Sequence, residues 1–209
     1  MAFFLKQRTI LINLLILLYV WVAIVFNSYL CTYLVNSFDL VYVLAISTSI
    51  EEIFASAIGG VFFHNWGIKW SLLLCFGLSA VSALVISTYS LQHQDSWLFV
   101  VLFVILDFGM TAAFEIIYIA HTSVFPTLFA STSFGYCNFL ARAVSGLAPQ
   151  VAEVLSEPTP LIVMAGTSFL GFFLVILLKT DTTSLRESVV TNQAKWQHAK
   201  SSVSTSRQG

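Results

Sequence analysis

Glu51, Glu52, Asp107, Glu115 and Arg142 each interrupt a long apolar stretch, and their side chains are the ones in this chain suited to charge-based chemistry at depth. A charge at the centre of a membrane helix costs about 3 kcal/mol on insertion scales, so such groups turn towards a bundle interior, a water-filled cavity or one another. Asp107, Thr111 and Glu115 recur every four residues and share one helix face. Ser131, Gly135, Asn138, Arg142, Ser145 and Pro149 follow the same three-and-four spacing, as do Ser49, Glu52, Ser56 and Gly59 or Gly60. Two readings stand for these stripes. Small residues let helices approach closely and polar ones bond across the interface; alternatively, the stripes line a ligand site. For Arg142 the readings are a structural ion pair with Asp107 or Glu115, or a cavity-facing group that meets a substrate or coupling ion. Glu51 and Glu52 are adjacent and cannot share a face, which puts Glu51 on a different interface or leaves it protonated.

Other chemistries find little support. Cys31, Cys75 and Cys137 fall in or near separate apolar stretches without metal-ligand spacing and read as packed, reduced thiols. His64, His93, His121 and His198 are scattered and make no zinc pattern. The sequence has no phosphate-binding glycine loop, no H-E-x-x-H and no G-x-S-x-G. The expectation is therefore a protein that is not an enzyme, with no cofactor, no metal and no nucleic-acid partner. An intramembrane enzyme built on Asp107 and Glu115 is the weakest reading.

The elements that position these residues follow from composition. Of 209 residues, 58% are hydrophobic and 9% charged, and the mean hydropathy is +0.89, which excludes an ordinary soluble domain. Apolar runs near the roughly 20 residues needed to cross about 30 Å of hydrocarbon recur along the chain. They predict an all-α membrane protein with six spans, about 9–35, 39–63, 70–90, 97–120, 127–152 and 160–179. A short segment, 1–8, precedes them, and a Ser/Thr/Gln-rich tail, 180–209, is expected to be disordered. The first run is too long for a secretory leader and lacks a clear cleavage site.

Lys6, Arg8, Lys69, Lys179, Arg186, Lys195, Lys200 and Arg207 all fall on one side of this topology, opposite Asp39, Asp95 and Glu157. By the positive-inside rule both termini are expected in the cytoplasm. Of the nine Lys and Arg residues, Arg142 alone departs from the pattern.

The stretch GMTAAFEIIYIAHTSVFPTLFASTSFGYCNFLARAVSGLAP, residues 109–149, resembles spans 10 and 11 of the organic cation/anion/zwitterion transporter family of the major facilitator superfamily. That family has T-A-A-F and I-Y ahead of an acidic residue and F-P-T-x-x-R, then a helix with S-R-x-G and a proline. Glu52 precedes Gly67 by fifteen residues, as the family's eighth-span glutamate precedes its D-R-x-G-R-R loop, and the first span, with Trp21 and Tyr29, looks like the seventh. The resemblance covers about residues 6–180.

It implies the C-terminal six-helix half of a twelve-helix carrier working by alternating access at the plasma membrane. Arg142 matches a cavity arginine of the anion and zwitterion branches. It therefore favours a small organic anion or a carnitine-like zwitterion over a cation, since a guanidinium fork suits a carboxylate. The implied substrate site is Arg142, Asp107, Glu115, Asn138 and Glu52. Gly67, Lys69, Pro126 and Thr127 belong to the implied cytoplasmic gating loops. The sequence also departs from the pattern: Ser123 replaces the glutamate before F-P-T and Ala130 the arginine after it. The loop His64 to Lys69 loses an aspartate and arginines, and Leu178-Lys179-Thr180-Asp181 lacks P-E-T. Asp107 stands where lysine is common, and Glu115 where a neutral residue is usual. These losses imply a weaker or differently built gate.

The length matches one half of such a carrier. The expected partners are the lipid bilayer, a small organic ion, and an N-terminal half, a full-length relative or a second copy. The alternative is a non-transporting, truncated protein that binds or regulates a full-length carrier.

Overall fold

The computed structural model describes residues 2–36, 38, 40–89, 96–124, 127–154 and 158–178, with the side chains of 2–10, 89, 122–129 and 154 set aside. The expected tail, 180–209, lies outside the described residues. Six helices run in order: α1 (Ala2–Val35), α2 (Val41–Tyr89), α3 (Trp97–Val124), α4 (Thr127–Ser145), α5 (Ala148–Val154) and α6 (Thr159–Ile176). No strand occurs among the described residues. Helices satisfy every interior backbone group within the segment, the requirement that hydrocarbon imposes. Four of them, in α1, α2, α3 and α6, are long and apolar enough to cross a membrane.

α2 is the element the sequence places least well. Its 49 residues are helical on both sides of Gly67, which alone has φ 73° and ψ 175°, a region essentially confined to glycine. Two contacts show that the chain doubles back there. A Cβ on Gly59 would stand 3.1 Å from the Ala112 carbonyl oxygen, and one on Gly109 would stand 2.7 Å from that of Cys75. Residues 59 and 75 lie about 24 Å apart along a straight helix, whereas 109 and 112 are separated by only about 4.5 Å. Both limbs of α2 therefore pack against one level of α3. The expected break at 63 to 70 is real but shrinks to one residue.

The expected continuous span over 127–152 is corrected: α4 ends at Ser145, residues 146 and 147 form a turn, and α5 resumes at Ala148. Pro149 has no N–H to give to Ser145 and its ring crowds that carbonyl. Instead Gly146 N–H bonds Arg142 O at 3.3 Å, and Leu147 N–H bonds Val144 O at 3.0 Å. α4 and α5 are not among the helices that qualify as crossings. Local chemistry fixes other ends, since the Leu98 N–H donates to Ser96 Oγ at 3.2 Å at the start of α3, and Pro160 opens α6.

α2 packs chiefly on α3 and then on α6, while α1 packs on α4, α3, α5 and α6 and barely touches α2. The apolar interior divides into two clusters. One gathers Trp21, Phe76, Met110, Ile117 and Val175; the other gathers Leu34, Phe38, Phe99, Phe103 and Leu161. A polar knot joins α1 to α6. Asn27 Nδ2 donates to Ser168 Oγ at 3.1 Å, Thr167 Oγ1 donates to Asn27 Oδ1 at 2.9 Å, and the Tyr19 hydroxyl donates to Thr167 O at 3.0 Å. The three cysteines are buried and free, as expected.

Candidate functional site

The seam where α1 fails to close on α2 opens into a cavity of about 490 Å3. α1 contributes Ser28, Tyr29, Cys31 and Thr32, the first limb of α2 contributes Thr48, Ser49 and Glu52, α3 contributes Asp107, Thr111 and Phe114, and α4 contributes Arg142. Helical periodicity puts them there. Residues 25, 28, 29, 32, 35 and 36 form one stripe of α1, and 45, 48, 49 and 52 one stripe of α2.

Hydrogen bonding gives the two sides of the cavity opposite character. Ser28 Oγ donates to Ile24 O at 2.9 Å, Thr32 Oγ1 to Ser28 O at 3.0 Å, Thr48 Oγ1 to Leu44 O at 3.0 Å and Ser49 Oγ to Ala45 O at 2.8 Å. Their protons are committed to their own helices, so what they present to the cavity is acceptor lone pairs. With the carboxyl groups of Glu52 and Asp107, the α1, α2 and α3 walls are rich in acceptors. Arg142 is the counterpart on α4. Its Nε donates to Asn138 Oδ1 at 3.0 Å, one turn back, and its Nη1 donates to the Tyr29 hydroxyl at 3.4 Å, across to α1. Among the described residues no ion pair engages it. Its guanidinium therefore keeps donors free for a carboxylate.

Arg142, Asp107 and Glu52 thus share one cavity, and Asn138 joins through its bond to Arg142. Glu115 does not line it. It sits one turn beyond Thr111, where Ser56 Oγ donates to Glu115 Oε1 at 3.4 Å. Beside it a Cβ on Gly59 would approach Glu115 Cβ to 3.2 Å, so this end of the stripe serves helix packing. Among the loop residues, Gly67 is the reversal point of α2. Lys69 Nζ donates to Ile176 O at 2.6 Å at the end of α6, neutralising an orphan carbonyl at a helix C-terminus. Pro126 lies outside the described residues. Thr127 begins α4, with its side chain, like that of Ser123, outside the description.

The face of α4 that packs, with Ala130, Ser133, Cys137 and Ala141 buried, is one step from the polar stripe, and of the stripe Ser145 is buried with it. Ser131, Gly135 and Arg142 are exposed. Sequence reading missed Tyr29, Ser28 and Thr32 as cavity residues, although their spacing carried the signal. Glu51, expected on a different interface from Glu52, is buried. Neither a protein-family model nor a curated protein matches the chain.

Proposed function

We propose that the chain is one half of a major facilitator-type carrier that moves a small organic ion by alternating access, with the α1–α4 cavity as its share of the substrate site. In this reading six crossings are made by α1, the two limbs of α2, α3, the broken α4–α5 pair and α6. The plasma membrane is the setting, with both termini cytoplasmic. The observation that carries it is Arg142: a permanent cation, free of any ion pair among the described residues, in a polar cavity walled in part by α1, α2 and α3, which are long and apolar enough to cross a membrane. An unneutralised charge there is expensive and marks a functional site by default. The resemblance over residues 109–149 supports the same reading.

The favoured substrate class is a zwitterion of the carnitine type. Its carboxylate suits the guanidinium of Arg142. Its quaternary ammonium suits the acceptor-rich opposite walls with Glu52 and Asp107, and the Phe114 and Tyr29 rings that line the same space. A simple organic anion would leave the two carboxyl groups facing like charge, and a simple cation would leave Arg142 unmatched.

In this reading a second protein covers the open side of the cavity, because one half of such a carrier encloses its site only against another half. That cover is an N-terminal half or a second copy if the chain transports. It is a full-length carrier if the chain regulates one instead.

The test is uptake of labelled carnitine into vesicles by the chain assembled with an N-terminal half, against Arg142→Ala. Saturable uptake lost in the variant supports the reading. Unchanged uptake and substrate preference remove Arg142 from the site, and no uptake with binding to a full-length relative selects the regulatory alternative.

A further inference from the structure

A second hollow, sharing no residue with the cavity, opens outward between the second limb of α2 and α6. It is a groove of about 1200 Å3, to which α3 contributes Ile105. Two contacts preform it. An added Cβ on Gly171 would stand 2.7 Å from Phe76 Cε1, so α2 and α6 touch there, and the next residue of each helix, Gly77 and Phe172, lines the groove. Phe172 Cε2 lies 3.6 Å from the place a Gly77 Cβ would take, which leaves a flat slot over a bare stretch of backbone. Towards the turn of α2, Lys69 Nζ ties the two helices together through Ile176 O at 2.6 Å.

The polar groups of the groove sit at its ends. Asn65 and Trp66 stand at the turn on Gly67, where the chain leaves and re-enters the membrane, the level that tryptophan favours. Trp66 is stacked on Phe62, with ring centroids 5.0 Å apart and 19° between the planes. From Trp70 to Ser82 the groove then follows α2 for about 18 Å, a little over half of the roughly 30 Å of hydrocarbon. No charged side chain lines it among the described residues, and Lys69, one residue before Trp70, is engaged with the end of α6. An anionic headgroup therefore meets no charge in the groove, whereas a single hydroxyl meets the exposed amide of Asn65.

Within a bilayer an apolar groove gains nothing from excluding water, because the lipid tails around it are as apolar as its lining; what remains is packing. A flexible acyl chain must give up its torsional freedom to lie in the slot. A rigid, flat, apolar body carries that order already, so it keeps the packing energy. We propose that this groove binds a membrane sterol, with its hydroxyl at Asn65 and its ring system along Gly77 against Trp70 and Phe172. The site needs only the membrane setting, and it stands or falls apart from the carrier reading.

The experiment is photolabelling of the full chain in phosphatidylcholine vesicles with a diazirine derivative of cholesterol, followed by peptide mapping. The expected result is saturable labelling within residues 65–82 and 169–172, displaced by cholesterol, about fivefold less well by its 3α-hydroxy epimer, and not by phosphatidylserine. Asn65→Leu should abolish the difference between the epimers, and Trp70→Ala should weaken labelling about tenfold. Both side chains are exposed, so thermal unfolding should match wild type. Labelling that does not saturate, that maps elsewhere, or that phosphatidylserine displaces as well as cholesterol overturns the proposal in favour of ordinary boundary lipid. Cross-links between two chains through a cysteine placed at Trp70, with no labelling, overturn it in favour of a second copy. Equal competition by the two epimers in the wild type overturns the placement of the hydroxyl at Asn65. If neither variant inserts, saturation and the epimer comparison in the wild type decide alone.

Discussion

The guanidinium of Arg142 reaches from α4 to the hydroxyl of Tyr29 on α1, with Nη1 and the oxygen 3.4 Å apart. This contact holds the charge over the cavity from the far helix while Asn138 holds it from its own. Two neutral partners orient Arg142 without neutralising it, which a carboxylate would do.

Tyr29→Phe should therefore loosen the guanidinium without removing it. A hydrogen bond to a charged group contributes about 1.5–3 kcal/mol, and this one is long, so under the carrier function proposed above the half-saturating concentration for carnitine uptake should rise about tenfold. Arg142→Lys should recover little of what Arg142→Ala loses, since an ammonium cannot donate in a planar fork to a carboxylate and Asn138 together. Saturation curves for the assembled carrier check both.

Gly67→Ala should destabilise the fold by about 1–3 kcal/mol through backbone strain alone, because nothing stands within 4 Å of a Cβ built there. Gly67→Asn should not rescue it: asparagine tolerates a positive φ near ψ +45°, whereas Gly67 has ψ 175°. Thermal unfolding in mild detergent reads the cost, and stability equal to wild type in either variant would refute the strained reversal.

Gly109→Ala should cost about 1–3 kcal/mol by overpacking, for the new Cβ would stand 2.7 Å from the Cys75 carbonyl oxygen and 3.1 Å from Ser79 Cβ. Backbone cannot rotate away as a side chain can, so α3 and the second limb of α2 must part. Gly60→Ala and Gly135→Ala, with no atom within 4 Å, are the matched controls. They should be neutral or stabilising, as alanine favours helix.

Asn27→Leu should release α6. It removes the bonds to Ser168 and Thr167, which at about 0.6 kcal/mol each for interhelical bonds in membranes amounts to about 1 kcal/mol. Faster amide exchange in α6 than in α3 is the expected signature. Equal acceleration in both would place the polar knot outside the α1–α6 contact.

Much of this protein was legible in its residues, because hydrocarbon leaves a chain few choices. Apolar runs of membrane length set the helical class, and Pro160, Ser96 and Gly67 marked ends or breaks through backbone rules that act within a few residues. The period of the polar stripes placed Asp107 with Thr111 and Arg142 with Asn138, since neighbours on one helix face are fixed by 3.6 residues per turn.

What the sequence by itself could not determine is which stripe meets which. Periodicity gives a face but not its partner. Thus Glu115, on the same stripe as Asp107, is drawn into the close α2–α3 contact at Gly59, and Tyr29 on a separate helix becomes the partner of Arg142. Only the tertiary structure decided that α2 doubles back onto one level of α3, leaving a seam beside α1. Such choices depend on contacts between residues distant in the chain, where small side chains permit approach and the direction of one turn sets the position of the next helix.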